Sequence, residues 1–124
     1  MIKSILLVAL GSGFGGVLRY LVARFMPVYV SGTFPWATFS VNVLGCFLIG
    51  LFYALTDRYI CLSADTKLFL TVGLCGGFTT FSTFINENFQ LSRTDLPLMF
   101  LYIGGSLVLG FIFLWLGQSV VKLF

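Results

Sequence analysis

Charge is absent from three long stretches of this 124-residue chain: 25–56, 68–86 and 96–121 contain no Asp, Glu, Lys or Arg, and a shorter gap covers 4–18. A helix that crosses a bilayer needs about 20 mostly apolar residues, because hydrocarbon offers no partner to a charge or to bare backbone. The gaps therefore predict four transmembrane helices, near 4–25, 36–56, 67–90 and 97–121. Composition agrees. Only 9% of residues are charged and mean hydropathy is +1.07, whereas a soluble domain carries about 25% charged residues. Histidine is absent altogether, which removes imidazole acid–base catalysis and imidazole metal ligation. The chain is an all-α integral membrane protein forming one domain over 1–124, not a soluble enzyme.

The connections are short and rich in turn residues: Pro27 to Pro35 with Ser31, Gly32 and Thr33 inside, Asp57 to Asp65, and Leu91 to Pro97. None is long enough for a soluble domain. Met1-Ile2-Lys3 with the apolar run behind it resembles a signal peptide, but no clean cleavage site follows and the run continues through Leu18–Phe25, so a retained first span is expected. Four spans put both termini on one side, with Lys3, Arg58, Lys67 and Lys122; Arg24 and Arg93 fall on the other. Four against two is a slight preference for a cytoplasmic N-terminus, compatible with insertion in both directions.

Cys46, Cys61 and Cys75 form no paired framework. Gly11 and Gly15, Gly73 and Gly77, and Ser106 and Gly110 have the spacing of close helix contacts. Packing within the chain accounts for such pairs, and so does a homo-oligomer. Gly11-Ser12-Gly13-Phe14-Gly15-Gly16 matches a dinucleotide fingerprint, yet lacks the strand before it and the acid about 20 residues after it. It is a chance match.

Polar groups inside spans are the functional candidates, since hydrocarbon penalises them. The densest set is Gly76-Gly77-Phe78-Thr79-Thr80-Phe81-Ser82-Thr83-Phe84. A glycine pair followed by two β-branched residues makes a poor continuous helix, and a break there frees carbonyls that suit a small cation. A plain helix with hydroxyls bonded to the preceding turn is the alternative. Phe81 and Phe84 share a face at i and i+3, with Thr80, Thr83 and Glu87 on a neighbouring stripe. Their positive ring edges suit a small anion; taken alone, though, with 15 phenylalanines in the chain, core packing is the stronger reading of the pair. Thr38 and Asn42 share a face of the second span, continued by Gly45 and Cys46. Asn42 either bonds between helices or donates to a passing anion. Arg19 either snorkels to the interface or supplies positive potential at a vestibule. Glu87 lies near the end of its span, in reach of water, and Tyr102 bonds within the bundle or toward a pathway.

The stretch Gly76–Phe84 closely resembles the signature of the Fluc-type, or CrcB-like, fluoride channels. Gly15-Gly16-Val17-Leu18-Arg19-Tyr20 and the segment from Thr38 to Asn42 with Gly45 add to the resemblance, which covers the full length. It implies an antiparallel, dual-topology homodimer in the bacterial plasma membrane with two parallel pores, while the four hydroxyls within residues 79–83 favour, on their own, a third helix broken near its middle. Phe81 and Phe84 would line the pores by their ring edges, and Asn42 would donate to fluoride. Ser82 and Thr83, with Thr38 and Tyr102, would extend the polar route, and Arg19 would shape the electrostatics of the entrance. Carbonyls of Gly76 and Thr79 from both subunits would hold a structural Na+. The implied partners are fluoride, a second copy of the chain and the bilayer; no nucleic acid is expected. Two departures stand out: Phe78 where leucine is usual, and Ile85-Asn86 before Glu87 where the family continues Ser-x.

The leading expectation is thus a passive fluoride channel that lowers cytoplasmic fluoride. A small dual-topology proton-coupled multidrug-type transporter is the alternative; it needs an embedded carboxylate, and Glu87 is the only in-span candidate. A non-conducting structural subunit leaves the third-span polar cluster without a role. An intramembrane enzyme lacks a base for Ser82.

Overall fold

Helices fill the charge-poor stretches. The computed structural model describes residues 1–29, 34–59 and 62–123, so the expected turn residues Ser31, Gly32 and Thr33, and the third cysteine, Cys61, lie outside the described residues. Helix α1 is Ile2–Tyr29 and α2 is Trp36–Arg58. Helix α3, Ala64–Leu68, runs into a π-helical stretch, Phe69–Cys75, and then α4, Gly76–Phe78. Helix α5 is Ser82–Thr94 and α6 is Leu96–Val121. Among the described residues four segments are long and apolar enough to cross a membrane, with Ala64–Thr94 counting as one. The chain is a multi-pass, all-helical membrane protein.

Observed ends fall within a turn of those expected, and local chemistry explains the differences. The third span begins at Ala64 because Ser63 caps it, its hydroxyl accepting from Thr66 N–H at 3.1 Å. Helix α6 begins at Leu96 because Asp95 Oδ1 accepts from Leu98 N–H at 3.1 Å, with Pro97 in the first turn where its missing N–H costs nothing. Helix α1 continues past Pro27 to Tyr29; near a helix end, proline removes only one bond of the ladder.

Glycine sets the packing. Helix α1 lies against the π-helical stretch and α4, while α2 lies along α6. A Cβ at Gly11 would strike Phe69 O and the Gly73 backbone, and one at Gly15 would strike Leu74 O. The two glycine pairs of the first and third spans thus face each other within one chain. In the same way Gly50 abuts Leu114 O and Gly117 abuts Phe47 O, which brings α2 and α6 together. A small core gathers where α5 meets α6: Phe84, Leu91 and Tyr102, ringed by Phe34, Phe39, Leu98, Met99 and Ile103. Most remaining large apolar side chains are exposed on the chain's surface, as lipid contact requires.

Candidate functional site

Helical conformation stops at Thr79, whose backbone is extended (φ −86°, ψ 163°), and resumes at Ser82. In an unbroken helix the carbonyls of Gly76, Gly77 and Thr79 would accept from the N–H groups of Thr80, Phe81 and Thr83. At membrane depth a backbone group left without a partner costs several kcal/mol in hydrocarbon, and side chains serve several of the groups freed here. Three side chains do so. Asn42 Oδ1 accepts from Thr80 N–H at 2.8 Å while its Nδ2 donates to Thr80 O at 3.0 Å. Arg19 Nε donates to Gly77 O at 3.1 Å. Thr80 Oγ1 accepts from Thr83 N–H at 3.3 Å, serving the first turn of α5.

The carbonyls of Gly76 and Thr79 keep none of those helical donors, because Thr80 N–H is turned to Asn42 and Thr83 N–H to Thr80 Oγ1. Both residues border an open groove of about 390 Å³, together with Asn42, Thr80, Phe81 and Phe84. Asn42 Nδ2 carries two hydrogens, of which the Thr80 carbonyl uses one. A second, smaller cavity of about 50 Å³ is lined by Arg19, Thr38, Thr80 and Thr83, so Thr80 borders both.

The two phenylalanines divide. Phe81 stands at the start of α5 and is 75% exposed on the single chain, while Phe84 is 9% exposed. Their ring centroids are 6.3 Å apart at 40°. Phe84 also meets the Tyr102 ring edge-on, centroids 4.9 Å apart. Ser82 is exposed and Thr83 half-buried. Tyr102 is fully buried, and its hydroxyl donates to Glu87 Oε1 at 2.9 Å; Thr38 Oγ1 donates to Glu87 Oε2 at 2.9 Å. Glu87 is half-buried near the end of its span, and α2 and α6 each supply a hydroxyl to it. Arg19 is anchored within the chain. It reaches across to the third span.

Two polar residues escaped the sequence reading. Ser106 Oγ is buried, has no hydrogen-bond partner and borders the larger groove; its only sign in the sequence is a hydroxyl in an apolar span, at the spacing of a small packing residue. Asn88, 5% exposed, donates to Phe84 O at 2.9 Å and leaves Oδ1 without a partner. An amide beside Glu87 on an otherwise amphipathic helix gave no separate sign.

A family model described as CrcB-like protein, Camphor Resistance (CrcB), matches residues 6–118. The chain belongs to the CrcB-like family. Among curated CrcB-like relatives, one from Phocaeicola vulgatus, named Fluoride-specific ion channel FluC, is 57% identical over 118 residues, 93% of this chain and 95% of that protein. A protein of the same name from Flavobacterium psychrophilum is 48% identical, covering 97% of this chain and 98% of its own length. Another from Leptospira interrogans is 42% identical, at 98% and 97% coverage.

Proposed function

We propose that the chain is a passive, fluoride-selective channel of the plasma membrane, not an enzyme, and that it lets fluoride leave the cytoplasm. The observation that carries this reading is the groove at the interrupted third span, where the Asn42 amide, two phenyl rings and a partnerless serine hydroxyl converge. Fluoride is compact and strongly hydrated, so a selective route must replace its water with donors and positive ring edges, at several weak sites in series. Asn42, Phe81, Phe84, Ser82, Thr83 and Ser106 form such a set, with Thr38 and Tyr102 behind them and Arg19 contributing positive potential. The names carried by the similar proteins support the same ion.

The working unit is an antiparallel, dual-topology homodimer with two pores. Phe81 lies on the outer surface of the single chain beside the open groove, and a second copy turned over would cover both. The third span acts as a broken helix. At its break the Gly76 and Thr79 carbonyls, released from their helical donors, fit a hard monovalent cation, which takes oxygen ligands. Two such carbonyls from each copy would hold a structural Na+ at the dimer centre and offset part of the cost of anions nearby. The proton-coupled alternative would require Glu87 to exchange protons, whereas its carboxylate is held by two hydroxyl donors.

Reconstitution into liposomes tests the proposal. Fluoride efflux followed by electrode is expected to be fast, with little release of chloride from matched vesicles. A folded protein that releases neither ion, or both alike, overturns it.

A further inference from the structure

We propose that the larger groove also contains a soft-metal site, in which the thiols of Cys46 and Cys75 bind a d10 monovalent cation such as Ag+ and thereby close the path. The binding stands on the structure of the groove, and the closing rests on the channel reading above. Cys46 on α2 and Cys75 at the end of the π-helical stretch come from different spans and border the same space of about 390 Å³. Both are free thiols. Cys46 Sγ occupies room left by Gly110, 3.2 Å from where a Cβ at that position would stand. Cys75 is 2% exposed and borders that groove. Ser106 Oγ, buried and without a partner, borders the same space and offers a supplementary oxygen.

Donor chemistry selects the ion. Sulfur ligands favour soft cations over Na+, Mg2+ or Ca2+. No three His, Cys, Asp or Glu stand together among the described residues, so the four-ligand set of a structural zinc site is missing. Two thiols suit the linear, two-coordinate preference of a d10 monovalent ion. As each S–Ag bond forms, the sulfur contributes the electron pair and its proton passes to water; no atom changes oxidation state. Two thiolates and one Ag+ carry a net negative charge, so the bound site obstructs an anion route by repulsion as well as by bulk.

The test uses the full chain with Cys61→Ser, reconstituted in chloride-free nitrate so that silver stays dissolved. Equilibrium dialysis is expected to give one Ag+ bound per chain, and Ag+ is expected to abolish fluoride efflux, with recovery on adding excess dithiothreitol. Cys46→Ala and Cys75→Ala, each compared with its own silver-free efflux, should lose both the stoichiometric binding and the inhibition. If Cys75→Ala fails to fold, Cys46→Ala alone decides. Absence of Ag+ binding, or undiminished binding in the variants, overturns the site. Stoichiometric binding with undiminished efflux overturns the block. Protein that passes no fluoride before silver is added overturns the channel reading, while dialysis still decides the metal site.

Discussion

Asn42 holds Thr80 by both of its backbone groups, accepting from the N–H at 2.8 Å and donating to the carbonyl at 3.0 Å. One amide side chain on α2 thereby gives the Thr80 backbone the two partners that rungs of helix would otherwise supply. Asn42→Ala strands both groups, and each buried orphan costs about 1–3 kcal/mol. The variant should melt well below the parent in detergent and conduct poorly. Asn42→Asp can still accept from the N–H but sets a carboxylate against the Thr80 carbonyl, so fluoride efflux should fall to the leak of empty vesicles. Normal efflux in Asn42→Asp would show that the amide has no part in the route.

Phe81 and Phe84 should respond differently to the same change. Phe81→Ile alters a side chain that touches little of its own chain, so the melting temperature should fall less than in Phe84→Ile while fluoride efflux falls. Phe84→Ile disturbs a ring packed against Tyr102 and should cost about 1–3 kcal/mol as well. Measuring melting and efflux on both variants separates the ring-edge role from packing.

Glu87→Gln keeps an acceptor for one of the two hydroxyls now donating to Glu87. The channel should therefore retain fluoride efflux within several-fold, with no dependence on an imposed proton gradient. Abolition of flux together with loss of proton coupling would favour the transporter.

Sodium dependence should reside in the backbone. Replacing Na+ by N-methylglucamine is expected to diminish fluoride efflux. Thr79→Ala, which loses the hydroxyl bond to Cys75 O and the methyl packed beside Gly45 but keeps the carbonyl, should leave the sodium titration midpoint unchanged.

Gly117→Ala should not assemble, because its methyl would meet the Phe47 carbonyl, while Gly104→Ala has nothing within 4 Å to meet. Monodisperse yield on size exclusion is the readout.

The spans could be read from the sequence because hydropathy and charge act locally: every residue of α6 between Asp95 and Lys122 is uncharged. Candidate pore residues were legible as polar groups where hydrocarbon penalises them, and through the family signature at Gly76–Phe84. Their partners were not. Whether Asn42 meets Thr80, or Arg19 meets Gly77, depends on the rotation of one helix against another, and that is fixed by glycine contacts dispersed along the chain. The partners of Glu87 were hidden for the same reason: Thr38 and Tyr102 lie 49 and 15 residues away. The π-helical turns of Phe69–Cys75 left no trace, since Phe-Leu-Thr-Val-Gly-Leu-Cys reads as any apolar helix.

The bond from Arg19 to Gly77 has a consequence for the field inside the membrane. Its acceptor is a carbonyl, not a carboxylate, so the guanidinium is anchored without being neutralised. At an effective dielectric constant near 20, a unit charge about 8 Å away attracts an anion by about 2 kcal/mol. Held to the backbone of the third span, that charge is kept from being drawn out to a lipid headgroup. On the channel reading proposed above, it would bias the sign of what approaches Thr80 without occupying the route itself.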